Sequence, residues 1–361
     1  MFRLTLEMTN DCNMGCKYCY SINKKEYITK EVIEKAFEVA IKEVEKLNEN
    51  ELYVNFLGGE PLLSYGMIRE TTKLFNKLGG EKNIRIYYGI TTNLILLNED
   101  NLQFFIDNRF SIRTSLDGDK ESHDKNRIML NKKSSYDSWI EKIPLLKQYQ
   151  KKMGQEVQIS MVISPNNINM IYENFHHIVN LGFTRIYTAL ETYSEWTEAQ
   201  LEIVKSEYKK IIDYIYMQAK RRRMIYWNFL QSIQRIYGKK YKHFFCYTGK
   251  LGMYVKTNGK IYACSVCQKS GMEIGNVYQG FNSNRDNFIC YNRKLATKCK
   301  KCEYLNKCVG VDCIAIKYEI NNNFYDVPLF VCYTTKMRHE LNIYVKELIQ
   351  KDRDFYGANK I

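Results

Sequence analysis

The chain has 361 residues, of which 45% are hydrophobic and 26% charged, a composition typical of a globular protein with one large domain and a smaller one. No run of about 18 apolar residues occurs, which excludes a membrane-spanning helix. The formal net charge of +14 permits nucleic acid as a partner. However, the lysines are scattered and no interleaving of aromatic and basic residues resembles a nucleic-acid-binding motif, so we expect no nucleic-acid partner.

The twelve cysteines are unevenly distributed along the chain. Three lie within the first 19 residues, none lies between 20 and 245, and nine lie between 246 and 332. The N-terminus has no signal-peptide pattern, so we expect a cytoplasmic protein, in which cysteines serve metal or redox chemistry rather than disulfides. Two segregated sets predict two regions that bind metal clusters.

The first cysteine set follows an alternating apolar run at residues 2–8. Cys12, Cys16 and Cys19 are separated by three and two residues, which places three thiolates in one tight loop after a strand. Three thiolates do not complete a tetrahedral zinc site, but they suit three irons of a [4Fe–4S] cube and leave the fourth iron open. A zinc knuckle or a set of reduced structural thiols is the alternative interpretation.

From residue 1 to about 220, short apolar strands alternate with amphipathic stretches. Thr29 and Asn98 have the side chains of helix N-caps, with acidic residues in the following turn. Repeated βα units predict an α/β fold with a parallel sheet, either doubly wound or closed into a barrel. Six strands are predicted, at residues 2–8, 52–57, 84–91, 110–116, 157–163 and 184–190. Helices are predicted at residues 30–47, 65–78, 98–108, 136–152, 168–181 and 197–220.

Ligand sites in parallel α/β sheets gather where the strands end, so the residues after each strand are informative. Gly58 and Gly59 follow the second strand and allow the backbone to approach a ligand closely, while the carboxylate of Glu60 can receive an ammonium group. Asn93 follows the third strand and Ser115 ends the fourth. The Gly-Gly-Glu-Pro sequence could also be an ordinary turn.

Together these motifs resemble the radical S-adenosylmethionine (SAM) enzymes, in which Tyr18 fills an aromatic position before the third cysteine. The resemblance implies a partial (β/α)6 TIM-like barrel over residues 1–220, a SAM-binding [4Fe–4S] cluster, and a 5′-deoxyadenosyl radical that abstracts hydrogen from a substrate. Residues 58–60 resemble the motif that holds the methionyl amine. For His123 and Asp124, within a stretch that also matches family members, we favour hydrogen bonds that stabilise their loop. The SAM contacts implied are Tyr18, Gly58, Gly59, Glu60, Asn93, Ser115, Arg127 and Leu190.

The second cysteine set resembles the seven-cysteine SPASM domain, which carries two auxiliary [4Fe–4S] clusters and raises the total to three. We place this domain at 246–335, after a linker at 221–245 and before a C-terminal helix and tail at 336–361. Four residues separate Cys308 from Cys313 where three are usual. By resemblance, the first auxiliary cluster takes Cys246, Cys264 and Cys313, and the second takes Cys299, Cys302, Cys308 and Cys332.

Two cysteines are surplus to this pattern. We expect Cys267 to be a fourth ligand of the first auxiliary cluster; without it, that cluster would have an open iron for substrate. We expect Cys290 to be a buried thiol. No catalytic residue is assigned, but Cys267 and Cys290 are candidates because a thiol could return a hydrogen atom to a substrate radical.

Relatives with two auxiliary clusters mostly modify ribosomally made peptides or proteins. One branch, the anaerobic sulfatase maturases, has an aspartate base after the cysteine that corresponds to Cys264. Ser265 stands there, and its hydroxyl is too weak a base for that reaction. We therefore expect a maturase that forms a thioether or carbon–carbon crosslink in a peptide. Sulfatase maturation, peptide epimerisation and nucleic-acid modification remain alternatives.

The same reasoning predicts the partners. We expect the substrate to be a peptide or protein, and an acidic leader on it would complement the basic surface. Only eleven residues precede Cys12, so we expect a leader to bind the barrel or SPASM surface, or a separate leader-binding protein. The family chemistry requires an electron donor such as a flavodoxin or ferredoxin. Neither a membrane nor nucleic acid is expected as a partner.

Overall fold

The computed structural model describes residues 1–19, 24–237, 248–289, 297–305, 308 and 313–351. Cys246 and Cys290, which the sequence analysis singled out, lie outside these residues. No helix in the described ranges is both long enough and apolar enough to cross a membrane.

The described residues form eleven strands and thirteen α-helices. The strands are β1 (Phe2–Glu7), β2 (Glu51–Leu57), β3 (Arg85–Thr92), β4 (Ser111–Ser115), β5 (Gln158–Ile163), β6 (Arg185–Leu190), β7 (Tyr226–Trp227), β8 (Gly252–Val255), β9 (Lys260–Tyr262), β10 (Glu273–Asn276) and β11 (Gly280–Phe281). The helices are α1 (Lys30–Lys46), α2 (Tyr65–Glu81), α3 (Glu99–Asp107), α4 (Lys120–Asn126), α5 (Ser135–Ile140), α6 (Ile143–Met153), α7 (Ile171–Asn180), α8 (Glu198–Lys220), α9 (Asn228–Tyr237), α10 (Asp286–Ile289), α11 (Thr297–Lys300), α12 (Ile314–Asn321) and α13 (Leu329–Lys351).

The first of two compact units comprises Met1–Thr114, Asn126–Val157 and Tyr247–Asn292. Strands β1, β2, β3 and β4 pair in parallel in that order, and β8 pairs in parallel with the other side of β1. Strands β8 to β11 then pair antiparallel. The start of the second cysteine region therefore extends the sheet that carries the first cysteine loop.

The core of this unit follows from the alternation of side chains along β1. Phe2, Leu4 and Leu6 are fully buried on one face of the strand, and helix α1 packs against the strand. Glu7, the last residue of the strand, carries a carboxylate that is also buried. Because side chains of a strand alternate between two faces, that carboxylate lies on the face opposite the apolar residues.

The second compact unit comprises Ser115–Lys125, Gln158–Cys246 and Arg293–Ile361. Strands β5, β6 and β7 pair in parallel, and α7 and α8 pack against each other. Trp227 on β7 meets the rings of Tyr208 and Phe229 at centroid distances of 4.9 Å each. Helix α13 packs along α8, and Lys205 pairs with Glu340 at 2.8 Å.

The predicted α/β class, with parallel strands and crossover helices, is confirmed, and each of the six predicted strands is present within one or two residues. Both predicted caps are confirmed: Thr29 accepts a hydrogen bond from Val32 N, and Asn98 forms a reciprocal capping box with Asn101. The prediction of a single helix over residues 136–152 is wrong. It is split into α5 and α6, because a proline near the start of α6 cannot donate a hydrogen bond to the preceding turn.

Two further features bear on the predicted domain bounds. Strand β7 and helix α9 lie inside the segment 221–245, which the sequence suggested was a linker. The two compact units also have bounds that differ from 1–220 and 246–335. The bounds 1–220, 221–245, 246–335 and 336–361 therefore stay predictions from the family resemblance.

Candidate active site

The loop after β1 carries Cys12, Cys16 and Cys19 and is held by a second segment of the same unit. The backbone N–H of Gly15 donates to Ile128 O at 2.8 Å, and that of Lys17 donates to Asn126 O at 2.9 Å. Within the loop, Cys19 N donates to Cys16 O at 3.1 Å. Residues 126–130 thus fix the cysteine loop by main-chain hydrogen bonds, which do not depend on side-chain identity.

The electrostatics of the loop indicate what it can bind. Burial raises the pKa of the Cys12 thiol to about 12, and the charges of Glu60, Cys16 and Cys19 add to that rise. The Cys12 thiol therefore ionises near neutral pH only beside strong positive charge, which bound metal provides.

The type of metal centre follows from spacing. Among the residues that the structure describes, no three cysteine, histidine or acidic side chains are grouped to hold one metal ion. Zinc ligands all bind a single ion, whereas each cysteine of a cube binds a different iron. The loop supplies three thiols, which is the number that a [4Fe–4S] cube with one open iron takes.

The two glycines after β2 bring that strand end against the cysteine loop. Gly59 N donates to Thr9 O at 2.7 Å, and Glu60 N donates to Asp11 O at 2.9 Å. A Cβ on Gly58 or Gly59 would lie closer than 3.0 Å to the backbone of that loop, and Gly58 has a φ of +137°. The close approach that the sequence predicted for these glycines is made, in the described residues, with the protein's own backbone.

The carboxylate of Glu60 is 1% exposed and accepts three hydrogen bonds. One oxygen accepts from Thr92 Oγ1 at 2.6 Å and Leu62 N at 3.0 Å, and the other accepts from Asn93 N at 2.7 Å. Burial raises the pKa of Glu60 to about 7, although the three donors act to lower it. Glu60 therefore ties the end of β3 to the end of β2.

Asn93, Tyr18 and Arg127 lie around the cysteine loop in the same unit. Asn93 Nδ2 donates to Asn13 Oδ1 at 2.7 Å and lies 3.9 Å from Cys12 Sγ. The guanidinium of Arg127 stands 5.2 Å from the ring centre of Tyr18, and Arg127 is 7% exposed. The structure thus brings together these three predicted cofactor contacts, the three cysteines and residues 58–60.

The second unit holds the other two predicted SAM contacts, Ser115 and Leu190, which are half-buried at the ends of β4 and β6. The loop after β4 is held by its own polar side chains. Asp117 N donates to His123 Nδ1 at 3.2 Å, and Asp117 Oδ1 accepts from Val162 N at 3.0 Å. His123 is 2% exposed, in keeping with the loop-stabilising role expected for it.

Cys264 and Cys267 form a small hairpin in the first unit, joined by an antiparallel bridge. Cys267 is fully buried, and Cys264 is half-buried. Gln268 Nε2 donates to Ser265 O at 3.4 Å, and Gln268 Oε1 accepts from Lys256 Nζ at 2.6 Å. The two cysteines therefore stand on one ordered turn, as two ligands of one cluster require.

A polar network that the sequence analysis missed joins this hairpin to the first cysteine loop. Tyr254 OH donates to Glu7 Oε1 at 2.5 Å and lies 3.5 Å from Gln268 Nε2. Glu7 Oε2 accepts from Thr257 N at 3.2 Å, and Thr257 Oγ1 accepts from Asn10 Nδ2 at 3.4 Å. The signal in the sequence was the carboxylate at the end of an alternating strand, just before the cysteines.

Three cysteines of the second unit share one apolar cluster. Cys299, Val327 and Val331 are buried together, and Cys308 and Cys332 pack against them. These positions are separated by up to 33 residues in sequence (332 minus 299), so tertiary packing gathers them. They are three of the four cysteines predicted for the second auxiliary cluster.

Two further cysteines among the described residues of this unit, Cys302 and Cys313, make backbone contacts. Cys302 is exposed, and its N–H donates to Cys299 O at 3.1 Å. Cys313 is half-buried and precedes α12, where its carbonyl accepts from Lys317 N at 3.3 Å.

The family model of the Radical SAM superfamily matches residues 6–178 of the chain. Comparison with individual known proteins gives three further informative matches. A cysteine-type anaerobic sulfatase-maturating enzyme of Clostridium novyi (strain NT) is 27% identical over 321 residues, spanning 83% of this chain and 84% of the relative. Native anSMEcpe with bound AdoMet and Cp18Cys peptide is similar with a TM-score of 0.78 at 20% identity, covering 96% of this chain and 98% of that one. Streptococcus suis SuiB bound to the precursor peptide SuiA is similar with a TM-score of 0.58 at 15% identity, covering 92% and 75%.

The two structural likenesses show the fold, and they agree with the predicted α/β architecture of radical SAM enzymes. The matched residues 6–178 include the whole loop of Cys12, Cys16 and Cys19 and the glycines that press against it. SAM and a [4Fe–4S] cluster are the cofactors of this family, and the thiols of the loop fit that cluster. The resemblance of the chain to the radical SAM enzymes is therefore confirmed over residues 6–178.

Proposed function

We propose that this enzyme abstracts a hydrogen atom from a residue of a ribosomally made peptide and forms a thioether or carbon–carbon crosslink. A peptide substrate is supported by the fold neighbours anSMEcpe and SuiB, whose structures contain a Cp18Cys peptide and a precursor peptide. The choice of product depends on one observation, Ser265 on the Cys264–Cys267 hairpin. A serine hydroxyl is too weak a base to serve where the sulfatase maturases use an aspartate.

The family resemblance suggests the roles of the first unit's residues, and their contacts support these roles. Cys12, Cys16 and Cys19 would hold the cluster, and Arg127 would bind the SAM carboxylate. Residues 58–60 would hold the methionyl amine, and the carboxylate of Glu60, which accepts three hydrogen bonds from the protein, keeps acceptor capacity for an ammonium group. When bound, the cluster and SAM supply the oxidising equivalent that removes the substrate hydrogen atom.

The other predicted contacts complete the proposed SAM site. Tyr18 would stack beneath Arg127, and Asn93, placed beside Cys12, would hydrogen-bond the cofactor. In the second unit, Ser115 would bind the ribose and Leu190 would contact the adenine. We retain residues 1–220 as the proposed radical SAM domain.

The second cysteine region supports the proposal of two auxiliary clusters in a SPASM domain at 246–335, followed by the helix and tail at 336–361. Cys299, Cys308 and Cys332 pack together, which suits ligands of one auxiliary [4Fe–4S] cluster. Cys264 and Cys267 lie on one hairpin, which suits two ligands of the other. The complete proposed set is Cys246, Cys264, Cys267 and Cys313 for the first auxiliary cluster, and Cys299, Cys302, Cys308 and Cys332 for the second.

Sulfatase maturation is the second candidate, because the Clostridium novyi relative matches 83% of this chain. Epimerisation is less well supported: the thiol of Cys267 is fully buried, whereas a hydrogen-atom donor must reach the substrate. Modification of nucleic acid would require RNA affinity that falls steeply with added salt.

Two experiments test the proposal. Replacing Cys12, Cys16 and Cys19 with Ala should abolish SAM cleavage while iron at the auxiliary sites remains; continued formation of 5′-deoxyadenosine would refute the cluster assignment.

Anaerobic co-expression with peptides encoded nearby, followed by mass spectrometry, should show loss of two hydrogen atoms and loops protected from fragmentation. Unchanged mass with a D-residue would indicate epimerisation instead. Formylglycine on a cysteine-type sulfatase peptide at normal turnover would refute the argument from Ser265.

A further inference from the structure

The segment that clamps the cysteine loop has an outward face that the SAM site does not use. Arg127 and Met129 are each 7% exposed, whereas Ile128 is 41% exposed and Leu130 is 61% exposed. Alternate residues of an extended segment point to opposite sides. One side of this short segment therefore faces the proposed cofactor site, and the other presents two apolar side chains to solvent.

This outward face lies directly on the cysteine loop. Leu130 N donates to Asn13 O at 3.2 Å, and Leu130 Cδ2 would lie 3.5 Å from a Cβ on Gly15. Within the loop, Gly15, Lys17 and Cys19 are exposed. Among the described residues, the cysteine loop itself is therefore exposed at this position.

The charge of the same face is mostly positive: three lysines are exposed there, and one exposed acidic residue, Asp137, directly follows the segment. Residues 13–19 and 126–136 contain Lys17, Lys132 and Lys133, all exposed, and no aspartate or glutamate. The nearest acidic residue before the loop, Asp11, is half-buried and accepts the hydroxyl of Tyr27 at 2.7 Å. An apolar centre with a basic rim is the composition of an interface for an acidic protein. We name Gly15, Lys17, Ile128, Leu130, Lys132 and Lys133 the basic patch.

We infer that the basic patch docks a small acidic electron-carrier protein that reduces the cluster held by Cys12, Cys16 and Cys19. One electron leaves the reduced carrier and enters that cluster, and no bond forms or breaks at the interface. Electron transfer weakens steeply with distance, so a carrier gains most by docking where the ligand loop itself is the surface. A peptide substrate must instead reach the inward side, where Arg127 and Tyr18 lie.

The test compares a protein reductant with a small-molecule one. Lys132→Glu with Lys133→Glu reverses two charges at the rim. With flavodoxin as the donor at low salt, this variant should raise the KM for flavodoxin about fivefold or more, because rim charges govern encounter rates. With dithionite, which needs no docking surface, SAM cleavage should equal that of the wild type. The matched control is Lys73→Glu with Lys77→Glu on α2, which makes the same charge change elsewhere.

Binding provides a readout that is independent of turnover. Immobilised flavodoxin should bind the wild type and the α2 control equally and the Lys132/Lys133 variant more weakly. This difference in affinity should disappear at high salt. Leu130→Ser should weaken binding at high salt as well, because it removes apolar contact. Equal flavodoxin affinity of all variants would overturn the inference. If the Lys132/Lys133 variant loses as much turnover with dithionite as with flavodoxin, at unchanged iron content, the inference is also overturned. That result would indicate that the face binds the substrate.

Discussion

A methyl group on Gly59 should dislocate the cysteine loop without removing any of the three cysteine thiols. The Cβ of Gly59→Ala would lie closer than 3.0 Å to the carbonyl oxygen of Asp11, next to Cys12. That oxygen is a backbone atom and cannot rotate away. The end of β2 and the loop must therefore separate.

The magnitude follows from the bonds that this separation breaks. Gly59 N to Thr9 O (2.7 Å) and Glu60 N to Asp11 O (2.9 Å) are the two hydrogen bonds across the contact. Each is worth about 1 kcal/mol net, and an orphaned buried group costs about 1–3 kcal/mol. We therefore expect Gly59→Ala to destabilise the loop by about 2–4 kcal/mol.

The assay is iron and sulfide content per chain after anaerobic reconstitution, together with 5′-deoxyadenosine formation. Gly59→Ala should lose the iron of the first cluster, retain auxiliary iron, and cleave little SAM. Gly66→Ala and Gly80→Ala on α2 are matched controls, since nothing lies within 4 Å of their added Cβ. Alanine in a helix should stabilise them by about 0.5–1 kcal/mol. Wild-type iron content and SAM cleavage in Gly59→Ala would refute the reasoning.

Three further predictions concern buried polar groups of the first unit. The pKa of Glu60, raised by burial from 4.5 to about 7, means that protonation stabilises the fold. That contribution, about 3 kcal/mol at most, is complete below pH 4.5 and lost as the pH rises through 7. From pH 5 to 8 the thermal midpoint should thus fall more steeply for the wild type than for Glu60→Gln, and parallel curves would disprove the linkage. Arg285 pairs with Glu43 at 2.5 Å, with the two side chains 6% and 12% exposed, so Arg285→Met should cost about 3–5 kcal/mol by urea unfolding. Adding Glu43→Leu should recover much of that loss, and no recovery would argue against an unpaired-charge cost. Tyr254→Phe removes the donor to Glu7 and should lower unfolding stability by about 2 kcal/mol, and an unchanged urea midpoint would show that the network contributes nothing.

The sequence by itself determined the chemistry of the first loop and the order of the βα units. The spacing of Cys12, Cys16 and Cys19 is local, so three thiols within eight residues must lie near one another in any fold. The caps at Thr29 and Asn98 are likewise local, since each depends on a side chain reaching a backbone N–H three residues away. Strand periodicity was sufficient for the same reason: it reports which face of a segment is buried.

Tertiary structure decided which distant groups meet. The carboxylate of Glu7 and the hydroxyl of Tyr254 are 247 residues apart in sequence, yet they share a hydrogen bond because β8 pairs with β1. The glycines of residues 58–60 were expected to admit a ligand, but only the fold showed the loop backbone already pressed against them. Likewise, Cys299, Cys308 and Cys332 lie together because they pack in one apolar core with Val327 and Val331. Such contacts arise from strand pairing and close packing of segments remote in sequence, which local patterns do not encode.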